Sequence, residues 1–108
     1  MAKASSESFT FRVSDALEVP LRGHMLRLRL TAGRPSMTDL APGRRIRLAS
    51  PKGAAREVVI VGHSATAGRT TQARLEATSE LDVVIARQDA GEGEDRVDIG
   101  WHVSGPIG

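Results

Sequence analysis

The chain is 108 residues long, 40% hydrophobic and 26% charged, which is the composition of one ordinary globular domain with enough apolar side chains for a core of its own. It has no cysteine, which excludes disulfides, thiolate catalysis and cysteine-ligated zinc. It also has no apolar run long enough for a membrane helix, so the expectation is a cytoplasmic protein with no membrane partner.

The net charge of +2 is unevenly spread: residues 1–56 carry eleven Lys+Arg and four Asp+Glu, whereas residues 57–108 carry four and nine. Such a dipole suits either an anionic partner or pairing of the two halves within the fold. Phe9, Phe11 and Trp101 are the only aromatics, too few for a surface that stacks nucleobases.

Residues 1–8 are small and polar and read as a disordered tail, leaving 9–106 as one domain. Phe9-Thr10-Phe11-Arg12-Val13 alternates as a first strand, ending before Ser14-Asp15-Ala16. After Pro20 and Gly23, the run His24 to Leu30 places Leu26, Leu28 and Leu30 inward and Arg27 and Arg29 outward. The segment 32–39 is a long, turn-rich connection. Pro42-Gly43 makes a tight turn into Arg45-Ile46-Arg47-Leu48, a third strand with two outward arginines, which ends at Pro51-Lys52-Gly53.

Arg56 to Val61 is apolar on both faces, the pattern of a strand that is central or covered by a further layer. Thr71–Ala77 fits a short strand and a helical turn equally. Glu80 to Ala86 is a strand, Asp89 to Asp95 an acidic surface loop, and Val97 to Val103 a last strand or two short ones. Six or seven antiparallel strands with regular turn signals predict an all-β, small closed Greek-key-type barrel.

The order of motifs resembles the second domain of elongation factor Tu and other translational GTPases. Phe11-Arg12-Val13-Ser14-Asp15 is similar to that family's opening strand, and Arg22-Gly23-His24 to its glycine-marked turn. Leu40 to Leu48 resembles its central turn and strand, and Asp98-Ile99-Gly100-Trp101-His102-Val103 its closing corner. The resemblance covers about residues 9–106. It departs at the family's Gly-Arg-Gly hairpin, reduced here to Arg22-Gly23, and at the acidic residue after the turn glycine, which is Arg44. No nucleotide-binding domain accompanies the barrel in these 108 residues, so the resemblance implies no GTPase activity. It implies a barrel that docks on a protein and, in some relatives, touches tRNA or the ribosome.

No catalytic site assembles from the sequence. His24, His63 and His102 lack metal-ligand spacing and read as surface residues at strand ends, and Asp98 reads as a turn residue. The loop 62–70 misses a phosphate-binding loop in its glycine spacing and lacks the lysine. The expectation is therefore no enzyme, no cofactor and no metal. In its place stands a binding module for an unidentified protein, with RNA or ribosome binding as the alternative and a small-molecule binder in the barrel mouth as the third.

Arg12, Arg27, Arg29, Arg45 and Arg47 are the candidate anionic-partner surface. Pairing of the second strand with the third would gather four of them, unless Glu57, Glu76, Glu80 and Asp82 neutralise them. Trp101 is a protein-contact anchor if exposed and a core plug if buried. Edge strands leave the oligomeric state open.

Overall fold

The computed structural model describes residues 8–63 and 72–107. The tail expected over residues 1–8 lies outside them except for Ser8, as does most of the loop 62–70. Six strands form the barrel: β1 (Phe9–Val19), β2 (Gly23–Gly33), β3 (Arg45–Ala49), β4 (Ala55–His63), β5 (Glu80–Ile85) and β6 (His102–Gly105). One helix, α1 (Gln72–Thr78), and two short 3-10 turns, Arg87–Ala90 and Gly93–Asp95, complete the described elements.

The strands close in the order β1-β2-β5-β4-β3-β6, with every pairing antiparallel. Strands β3, β4 and β5 are successive neighbours and β6 returns beside β3, which is the Greek-key path. The fold is thus the all-β closed barrel that the alternation predicts.

Alternation also sorts the interior. Phe9, Phe11 and Val13 from β1, Leu26 and Leu28 from β2, Ile46 and Leu48 from β3, and Val58 and Ile60 from β4 fill it. Phe9 and Phe11 meet edge to face with ring centroids 5.6 Å apart. Leu40, from the long connection, and Leu75, from α1, join the same core. The turn at Pro42-Gly43 is stitched to β4, with Gly43 N–H donating to Ile60 C=O at 2.7 Å and Ile60 N–H to Arg44 C=O at 2.9 Å.

Three segments differ from the sequence reading. Strand β1 does not stop at Val13. A bulge between Val13 and Asp15 lets it run on to Val19, paired there with β2 alone. The bulge is fastened on its other side, where Val13 N–H donates to Trp101 C=O at 2.8 Å and Gly100 N–H to Val13 C=O at 2.9 Å. The undecided segment 71–77 is helical from Gln72, because burying Leu75 needs only one inward residue per turn. The last strand shrinks to His102–Gly105, since residues 97–101 form a corner in which Trp101 N–H donates to Asp98 C=O.

Candidate functional site

The arginines form no single patch. Strand β2 pairs with β1 and β5 and strand β3 with β4 and β6, so the expected meeting of Arg27 and Arg29 with Arg45 and Arg47 does not occur. The register instead sets each against an acid. Arg27 pairs with Asp82 at 3.0 Å, Arg29 with Glu80 at 3.4 Å and Arg45 with Glu57 at 3.6 Å. The Asp82 hydrogen bond and charge hold Arg27 above its ordinary value. With Lys52–Glu94, these pairs join the basic half of the chain to the acidic half, which accounts for the charge asymmetry. Arg12 and Arg47 are exposed and make no ion pair among the described residues; they stand on the two strands that flank β6.

Trp101 is 5% exposed and plugs the core. Its face carries Arg56, whose guanidinium carbon lies 5.2 Å from the ring centroid. Arg56 also donates to Asp89 C=O at 3.0 Å and to Ala90 C=O at 2.8 Å, and so ties the 3-10 turns to the barrel.

Two features stand out from this frame. The first is on the outer wall. Strand β4, expected to be central or covered by a further layer, lies between β5 and β3 and buries Val58 and Ile60, but its outer face leaves Val59 at 38% and Val61 at 49% exposure. Register partners carry the apolar surface across the sheet: Leu17 beside Met25, Met25 beside Val84, and Val84 beside Gly62, next to Val61. Leu17 is 41% exposed, and Leu21 at the tip of the β1–β2 hairpin is fully exposed with φ of +67°. Leu21 and Val61 line one shallow depression with Val19, Ala86, Arg22 and Arg87. The result is an apolar stripe whose exposed members lie on β1, the hairpin tip and β4, joined across β2 and β5 by the buried Met25 and Val84.

The second feature is a cleft of about 500 Å³ at the barrel end, lined by Glu18, His24, Arg87, Gln88, Gly91, Glu92 and Arg96 among others. Its size falls in the range of small-molecule sites. His24 forms part of its wall. The residue is 2% exposed, and its Nε2 has no hydrogen-bond partner. Burial, helped by the nearby Arg96 charge and opposed by Asp98, pushes its pKa below the ordinary value. Glu18 stands opposite His24 in the β1–β2 register. Both Arg87 and Arg96 pair with the Glu18 carboxylate, Arg96 at 3.9 Å. The hairpin turn that positions these residues needs Gly23: its φ is +131°, and a Cβ there would lie 2.3 Å from Ile85 O.

His24 is the residue that sequence reading misplaces, as a strand-end surface histidine. The signal was present, because His24 shares the inward parity of Leu26, Leu28 and Leu30. The other histidines are elsewhere: His63 Nε2 lies 2.8 Å from Leu40 C=O at the end of β4, and His102 is exposed on β6. Asp98 serves its turn, accepting from Ile99 N–H at 2.8 Å. Among the described residues, no group of three or more His, Asp or Glu side chains could hold a metal ion.

The fold and these surfaces define a small closed Greek-key barrel with an apolar outer stripe and a charged end cleft. No protein-family model matches the chain, and no curated protein matches it in sequence. No helix among the described residues is long and apolar enough to cross a membrane.

Proposed function

We propose that the chain is a non-enzymatic docking module, of the type of the second domain of elongation factor Tu, that binds a protein partner through its outer apolar stripe. The closed six-strand antiparallel barrel is compatible with that family's fold, and the order of motifs along the chain supports the resemblance. The observation that carries the reading is the stripe itself. Monomeric surfaces seldom gather apolar side chains contiguously unless something covers them. Here Leu17, Leu21, Val59 and Val61 are exposed, with Met25 and Val84 buried between Leu17 and Val61. A fully exposed leucine in the left-handed region costs solvation and backbone energy that a monomer gains nothing from.

A photo-crosslinking residue at position 21, in cells of the native host, is expected to trap one stoichiometric protein, and the same residue at position 12 is not. Leu21→Asp with Val61→Asp is expected to abolish capture while leaving the melting transition cooperative. Equal crosslinking from both positions, or none from 21, overturns the docking surface.

A second reading, RNA or ribosome binding, rests on Arg12 and Arg47, the two members of the arginine set without an ion pair among the described residues. Their guanidinium groups are free for phosphate oxygens. Arg12→Glu with Arg47→Glu is expected to abolish a salt-sensitive mobility shift with tRNA or ribosomal RNA fragments. The wild-type chain giving no shift at low salt overturns this reading.

A further inference from the structure

The docking surface leaves the end cleft unused. Glu18 and His24 alternate with the outward Leu17 and Met25, so the cleft opens on the other side of the β1–β2 pair and shares only Arg87 with the depression lined by Leu21 and Val61. We propose that this cleft binds a small carboxylate ligand, gripped by Arg87 and Arg96 with the His24 imidazole as a third donor, and that Glu18 is the resident carboxylate it displaces.

Three observations meet at the site. First, Arg87 and Arg96 come from separate turns of the chain and converge on one carboxylate, Glu18. Guanidinium forks match the planar two-oxygen geometry of a carboxylate, so the protein has already assembled a receptor for that group. Second, His24 is buried beside this cluster with Nε2 lacking a partner. A buried polar atom left so is unfavourable, and a bound oxygen acceptor relieves it. Third, the side chain of Glu18 keeps 38% of its surface and sits near the tip of a hairpin, so it can swing into water when another carboxylate takes its place.

The charges select the ligand class. Two arginines and Glu18 leave one positive charge over, and Glu92 on the rim balances it. Exchange of one carboxylate for another preserves that balance. His24 is held neutral by burial and by Arg96, so it offers an N–H without adding charge. A phosphate dianion would place both its charges between the two arginines and overfill the site, whereas the far carboxylate of a dicarboxylate stays in water. The cleft of about 500 Å³ admits a short-chain acid.

The test is a titration of the full-length chain, followed by the ring nitrogen signals of its three histidines at constant ionic strength. Acetate, succinate and inorganic phosphate are the probes. The expected result is a saturable shift of the His24 signals with acetate and succinate, while His63 and His102 stay still. Glu18→Gln removes the competitor and is expected to tighten succinate about tenfold, whereas Arg96→Ala weakens it about tenfold. Glu57→Gln makes the same charge change outside the cleft, at the exposed pair with Arg45, and is expected to leave the affinity within about twofold. Dispersed amide spectra confirm that the variants fold. His24 signals that do not move, or Glu18→Gln and Glu57→Gln acting alike, overturn the proposal. Phosphate binding as tightly as succinate overturns the carboxylate class.

Discussion

His24 has a cost that a surface histidine would not. The imidazole packs at the end of β2 with one nitrogen buried and unpaired, and burial and Arg96 both oppose its protonation, with Asp98 favouring it. Glu18, across the strand pair, is occupied by Arg87 and Arg96. In the unfolded chain His24 takes up a proton near its ordinary value of 6.5, while in the folded chain it does so only at lower pH. Between those two values the unfolded state binds more protons, so stability falls as pH is lowered through this window and is fully present above it. The melting temperature of the wild-type chain should drop from pH 7.5 to about pH 5.5, and His24→Phe should flatten that dependence. An unchanged slope in the variant would assign the effect to other groups.

At the scale of the element, the β1–β2 hairpin sets stability against surface chemistry. Leu21 has φ of +67°, a region that costs an L-residue roughly 1–2 kcal/mol and that asparagine tolerates better. Its side chain is fully exposed, so its removal loses no packing. Leu21→Asn should therefore raise stability by about 0.5–1 kcal/mol, seen as a melting point a few degrees higher. The same substitution should reduce partner capture. Stability and binding moving in opposite directions is the signature of a residue kept for contact. The arginines of β2 and β3 behave differently. Their acidic partners are supplied by neighbouring strands, and each exposed pair contributes at most ~1 kcal/mol.

Closure is the property of the whole molecule. Strand β6 is four residues long, yet it alone joins β1 to β3, and Val103 inserts between Phe11 and Leu48. Without it two strand edges open and the phenylalanine pair of β1 meets water. A chain ending at residue 100 also loses Trp101, and with it the stack that holds Arg56. It should show no cooperative melting transition and should aggregate. A cooperative transition in the truncated chain would mean that the first five strands are self-sufficient.

Much of this was legible in the residues. Period-two alternation placed the inward leucines of β2, the isoleucine and leucine of β3 and both phenylalanines of β1, because a strand has two faces and only one meets the core. Pro42-Gly43 announced its turn through local φ preferences alone. Alternation likewise made Arg12, Arg27, Arg29, Arg45 and Arg47 outward. Which strands became neighbours was not legible, since closure order depends on contacts far apart in sequence. That order separated the β2 arginines from those of β3 and gave Arg27, Arg29 and Arg45 their acids. It also left the outer face of β4 bare and aligned Met25 with Val84, while the β1–β2 register set His24 beside Glu18. Local pattern determined which side chains face in and out; tertiary pairing decided which of them meet, and both candidate surfaces are made of such meetings.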